Sequence, residues 1–320
     1  MPFLGALACQ YEEEIVKFEY WVLFKGMLMG AADIVPGVSG GTVAFITGIY
    51  ERLLNALKML LPSFVSLIKS KQLKRFVLET DLIFLITLFS GILVSVASLA
   101  KIISYLMVHF PIPLWSSFFG LILASVFVVA KDVKKWSFIL VVYLLLGALV
   151  AWGVTQLSPA SIEKSNLTIF FSGMLAICAM VLPGISGSFI LVILGSYSWI
   201  LAAIKYFEWT TLGLFVAGCF IGLLSIANVL SWAFDKFKDI TLSILTGFML
   251  GAMVKVWPWK EVISYRENSQ GELIPLMEEP ITPFTYEILT GSDSQILLAI
   301  FCASFAAAMV YLLSRYAGKN

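Results

Sequence analysis

The residues best placed to do chemistry in this chain are hydroxyls and glycines that follow a Pro-Gly pair inside apolar sequence, and they occur twice. The first set runs Val35-Pro36-Gly37-Val38-Ser39-Gly40-Gly41-Thr42 and the second Leu182-Pro183-Gly184-Ile185-Ser186-Gly187-Ser188-Phe189. Proline removes a backbone donor and blocks the preceding turn, and glycine lets the chain turn sharply and admit a close neighbour. Each set is therefore predicted to break a helix, and the next helix starts with unpaired amides and a positive dipole end. Such ends hold anions, phosphate above all. The candidate binding residues are Ser39, Gly40, Gly41 and Thr42 in the first copy, and Pro183, Gly184, Ser186, Gly187 and Ser188 in the second.

Charged residues near the first break extend the set. Asp33, three residues before Pro36, is expected deep in the bilayer, where an ionisable group is a functional candidate; a helix-end cap is the structural alternative. Arg52 is expected about 15 Å down the helix that follows Thr42, near the cytoplasmic surface. There its guanidinium would receive a phosphate or snorkel to the interface. Lys25 at the mouth of the segment, with Lys58 and Lys205 at its two far ends, would guide anions or anchor at interfaces. The second copy carries Met180 for Asp33 and Trp199 for Arg52, so any proton or headgroup chemistry falls to the first half alone.

These residues belong to a longer duplication. Gly26 to Lys58 and Gly173 to Lys205 align without a gap at an offset of 147, with 14 of 33 positions identical. The composition, 60% hydrophobic and 13% charged, excludes a water-soluble globule, whose apolar share is about 45–50%. Continuous apolar runs at 82–108, 112–130, 137–153, 210–233, 240–257 and 296–314 are long enough to cross a bilayer as helices. Trp21 to Ile34 spans only about 21 Å as a helix and is too short to cross. It is predicted to form one arm of a re-entrant hairpin, the alternative being kinked full crossings packed through small residues.

The expected fold is an all-α polytopic membrane protein built as an inverted-topology duplication, each half a broken-helix re-entrant hairpin plus three transmembrane helices. The boundaries are 18–153 for the first repeat (hairpin 22–60), 166–316 for the second (hairpin 168–206), and 258–295 for an external acidic loop, all in one membrane domain of residues 1–320. Basic residues assign orientation. Arg52 to Arg75 and Lys131 to Lys135 are expected inside, as are both termini, whereas the 258–295 loop, with two basic and seven acidic residues, is expected outside. An odd number of crossings between the copies inverts the second, and the two tips then face each other in the protein interior.

Other classes find little support. A net charge of +1 gives no argument for nucleic acid. Cys9, Cys178, Cys219 and Cys302 show no pairing or metal spacing and are read as small packing residues. His109 is read as an ordinary loop residue. No metal or cofactor is expected.

The run Gly30-Ala-Ala-Asp-Ile-Val-Pro-Gly-Val-Ser-Gly-Gly-Thr42, followed by Gly48-Ile-Tyr-Glu-Arg52 and the second Leu182-Pro-Gly-Ile-Ser-Gly187, is similar to the polyprenyl-phosphate (undecaprenyl-phosphate) transporter family of prokaryotic membrane proteins, over about Phe18 to Tyr316. The resemblance implies a flippase in the bacterial or archaeal cytoplasmic membrane. It would return undecaprenyl phosphate, the lipid carrier of cell-wall precursors, from the outer to the inner leaflet. Two rivals remain at this point. Undecaprenyl-pyrophosphate phosphatases resemble the same duplicated architecture, but carry an Arg after the Ser where this chain has Gly40 and Gly187, together with paired glutamates. The glutamates here, Glu12, Glu13, Glu14 and Glu19, are read as the solvated face of an amphipathic helix. A carrier of a small soluble anion shares the same dipole logic.

Overall fold

The computed structural model describes residues 19–34, 38–157, 162–267 and 273–317. The apex expected at Pro36 and Gly37 lies outside the described residues, as do Cys9 and Glu12 to Glu14. The first half comprises α1 (Tyr20–Ile34), α2 (Gly40–Ile46), α3 (Tyr50–Ser70), α4 (Leu73–Glu79), α5 (Leu82–His109), α6 (Pro111–Lys131) and α7 (Phe138–Thr155). The second comprises α8 (Asn166–Val181), α9 (Gly187–Ile193), α10 (Tyr197–Lys205), α11 (Trp209–Ala252) and a closing 3₁₀ turn at Met253–Val256. Then come β1 (Lys260–Glu267), β2 (Leu273–Pro280), α12 (Pro283–Thr290) and α13 (Ile296–Ala317).

Among the described residues, five helices are long and apolar enough to cross a membrane, or up to six if the bent pair α9 and α10 is one span. Their outward faces carry bare Leu, Ile and Phe, such as Leu297 and Phe138, as lipid contact requires. The protein is a mostly helical, multi-pass membrane protein. At 1.5 Å per residue α11 is about 66 Å long, more than twice the hydrocarbon thickness. Phe237 leaves the helical region (φ −136°, ψ 47°) and divides it, between Asp235 and Asp239 where the charge pattern places a turn.

Helices pair where glycine removes the side chain between them. On the first pair, Gly26 of α1 meets Gly91 of α5; on the second, Gly173 of α8 meets the Phe215 to Cys219 stretch of α11 around Gly218. Gly120 of α6 lies against Ala303 of α13, and Gly247 of α11 against Leu144 of α7. Exchanging the halves maps this pattern onto itself. The third long helix of each half lies on the second long helix of the other, so neither half closes its own core.

Two features depart from expectation. The helix after each Pro-Gly break is not one continuous arm: α2 and α9 are seven residues each and a second break follows. Gly48 and Gly195 sit there at φ +72° and +67°, a left-handed conformation that costs glycine little, and α9 and α10 meet at 109°. The 258–295 stretch, read as a loop, holds an antiparallel hairpin pairing Lys260 with Pro280 and Glu261 with Glu279. Its strand signal was present in Val262, Ile263 and Tyr265 before the Asn268 to Gly271 turn composition.

Candidate functional site

The two broken segments meet, and each satisfies backbone groups the other leaves bare. Pro183 forces the preceding Leu182 into extended backbone (φ −71°, ψ 130°), which ends α8 and strands its last carbonyls. The Ser39 hydroxyl faces two of them, the Met180 carbonyl at 2.9 Å and the Leu182 carbonyl at 3.2 Å. The Tyr50 hydroxyl donates to the carbonyl between, Val181, at 3.1 Å. In return the Gly184 amide donates to Thr42 Oγ1 at 3.1 Å. Ser39 and Thr42 are buried, at 1% and 0% exposure. A side chain on Gly41 would stand 2.5 Å from the Val181 oxygen, so glycine there lets the two backbones touch. Gly184, at φ +92°, lies flush against Met249 of α11.

The start of α2 is not open as expected. Asp33 Oδ1 accepts from the Gly40 amide at 2.7 Å, and Ser39 Oγ accepts from the Gly41 amide at 3.1 Å. The Thr42 amide reaches the Ser39 carbonyl at 2.9 Å. Asp33 thus places a carboxylate where the sequence led us to expect a bound anion. The second tip differs. Met180 at the equivalent position offers no carboxylate, and Ser186 Oγ lies 2.8 Å from Ser188 Oγ.

Arg52 is not partway down the helix that follows Thr42. The break at Gly48 puts it in the first turn of α3, where its guanidinium bridges two carboxylates. Nε and Nη2 donate to Asp81 at 2.6 and 3.2 Å, and Nη1 and Nη2 to Glu19, both at 3.0 Å. Its Cζ stands 4.2 Å from the centre of the Phe84 ring. Glu19 is therefore this arginine's partner, rather than a purely solvated helix face. Lys25 lies within electrostatic reach of both Glu19 and Arg52. Lys58 ties α3 to α11, donating to Ser231 Oγ at 3.0 Å with Asp235 at 3.7 Å. Lys205 ends α10 with its ammonium 5.5 Å from the Tyr206 ring centre. His109 closes α5 rather than lying in a loop, and stacks on Tyr105 at 4.0 Å.

The structure therefore gathers Asp33, Ser39, Gly40, Gly41, Thr42, Pro183 and Gly184 into one buried seam, with Ser186, Gly187 and Ser188 continuing from it. It sets Arg52 and Lys25 in a separate ionic cluster. Tyr50 is the seam residue that sequence reasoning passed over; its identity with Tyr197 in the duplication was the available signal.

A family model described as undecaprenyl phosphate translocase-like matches residues 29–274, a stretch that holds both tips. The chain belongs to this family. It is 48% identical to the polyprenyl-phosphate transporter of Vibrio cholerae serotype O1 over 295 residues, 92% of this chain and 96% of the relative. To the polyprenyl-phosphate transporter of Staphylococcus aureus it is 30% identical over 271 residues, 76% of this chain and 87% of the relative. No solved structure matches it. The family and both relatives carry transport names, not enzyme names, which sets the phosphatase alternative aside.

Proposed function

We propose that this protein moves a polyprenyl phosphate, undecaprenyl phosphate by the family's description, from the outer to the inner leaflet of a prokaryotic cytoplasmic membrane, returning the lipid carrier for reuse in cell-wall synthesis. One observation carries the proposal beyond the names of the relatives: a buried polar seam joins two broken segments within an apolar bundle. A phosphate headgroup is too polar to cross hydrocarbon unaided, whereas its prenyl tail can remain in lipid. A polar path between two movable tips is what the headgroup needs.

In this proposal the two halves are inverted, both termini face the cytoplasm, and the tips rock about a midplane site. The exchange symmetry of the glycine-lined pairings supports a two-fold relation between the halves. Ser39, Gly40, Gly41, Thr42, Pro183, Gly184, Ser186, Gly187 and Ser188 form the cradle, which opens when the bonds across the seam part. Arg52, with Lys25, Lys58 and Lys205, handles the headgroup at the rim. Asp33 couples the cycle to protons: its carboxylate holds the Gly40 amide, and protonation weakens that hold and lets the phosphate take it.

The test is leaflet exchange of a labelled short-chain prenyl phosphate in liposomes, with the dephosphorylated alcohol and inorganic phosphate as comparisons. Exchange stimulated for the prenyl phosphate alone, and lost in a Ser186→Ala/Ser188→Ala variant, is expected. Uptake of inorganic phosphate without lipid exchange would refute the lipid substrate. Asp33→Asn retains an oxygen to accept from Gly40, so it should fold and still lose the response to a pH gradient; an unchanged response would remove the coupling role.

A further inference from the structure

We propose that a second phosphate-binding pocket, apart from the seam, lies between α9, the turn after α11 and the β hairpin, with Lys255 and Lys260 as its cationic groups. It rests on the polyprenyl phosphate reading, which supplies a headgroup as the guest. The cavity encloses ≈ 70 Å³. One water needs about 10–15 Å³ of such room, so the space fits several waters or a single phosphate group. Phe189, Val192 and Ile193 line it; spaced i, i+3 and i+4, they form one face of α9. Ser188 directly precedes Phe189, which places the pocket and the second tip of the seam on the same short helix.

Aromatic rings hold both ammonium groups beside the cavity. Lys255 Nζ lies 4.7 Å from the Phe189 ring centre and Lys260 Nζ 3.6 Å from that of Trp115. Lys260 pairs with Glu278 at 3.1 Å, its side chain 9% exposed, a bond that also ties the two strands together. Burial lowers the Lys260 pKa from its ordinary value, with Glu278 acting against it. Lys255 is different. Among the described residues it has its ring contact but no hydrogen-bond acceptor or bonded carboxylate, although Glu278 and Glu279 also line the cavity. Lys255 is half-buried, and Glu278 acts on it electrostatically without a bond, so a partly desolvated ammonium here gains from a direct acceptor. A phosphate in the cavity supplies acceptors to Lys255 directly, whereas the strand pairing that bonds Lys260 to Glu278 leaves Lys255 without a bonded acceptor among the described residues.

The test is lysine methylation of the purified full-length protein in detergent, read residue by residue by mass spectrometry. It is run with short-chain prenyl phosphate, inorganic phosphate or prenyl alcohol. Loss of labelling at Lys255 with prenyl phosphate, unchanged with the alcohol, and no change at the surface Lys164, is expected. Protection by inorganic phosphate alone would uphold the pocket and overturn the lipid guest. Lys255→Met should weaken prenyl phosphate binding about tenfold, the loss of one charge-assisted bond, and Lys255→Arg should restore most of it. If prenyl phosphate binds, the Ser186→Ala/Ser188→Ala variant weakens it, and Lys255 stays equally reactive throughout, the pocket is refuted while the transport proposal stands. If the wild-type protein binds neither phosphate, both fall. Should Lys255→Met fail to fold, protection in the wild-type protein decides the matter.

Discussion

Replacing Ser39 by alanine should destabilise the protein far more than the same change at Ser186, although the duplication makes the two serines equivalent. Ser39 Oγ caps the Gly41 amide and donates across the seam to the carbonyls ending α8. Losing the cap costs about 1 kcal/mol. Losing the bond across the seam costs between ~0.6 kcal/mol, the average for side-chain bonds between membrane helices, and ~1.5 kcal/mol for a buried bond in general. Because the site is 1% exposed, water cannot replace either partner, and the sum is about 2 kcal/mol. Ser186 has its hydroxyl contact to Ser188 alone among the described residues, and losing that should cost under about 1 kcal/mol. Reversible unfolding of both variants in mixed micelles, with increasing sodium dodecyl sulfate, gives the comparison. Equal losses for Ser39→Ala and Ser186→Ala would refute the claim that the first tip clamps the second.

Further outcomes follow from the packing and the charges. Gly120→Ala places a methyl group 2.1 Å from the Ala303 carbonyl oxygen of α13, a backbone atom that cannot swing aside, so it should cost about 1–3 kcal/mol. Gly153→Ala meets nothing within 4 Å and should be neutral or stabilising in the same unfolding assay. Arg52→Lys should behave much like Arg52→Ala, because an ammonium cannot span Asp81 and Glu19 as the planar fork does. The sites are more than a third exposed, so each pair contributes at most about 1 kcal/mol, and a double-mutant cycle should show larger coupling to Asp81 than to Glu19. Lys260 gives a pH signature. Burial holds its folded pKa below 10.5, so the unfolded chain binds more protons in the window between that folded pKa and 10.5. Stability should therefore rise with pH across that window, and Lys260→Met should flatten the slope.

By itself the sequence determined the membrane class, the long apolar helices, the two breaks and the residues at their tips, because these follow from composition and from the local effects of proline and glycine. The turn at Asp235 to Asp239 was legible for the same reason, since charge has to leave hydrocarbon. What only the tertiary structure decided is which groups satisfy which. Asp33 holds the Gly40 amide, Ser39 clamps α8, Tyr50 reaches the Val181 carbonyl, and Arg52 bridges Glu19 and Asp81. These partners lie up to 143 residues apart along the chain. Local propensity carries no information about such pairings, which are set by where the long helices cross and how closely their glycines allow them to approach. The second break at Gly48 and Gly195 lies between the two cases. The repeated glycines were visible, but their left-handed turn became apparent only once packing required the chain to bend there.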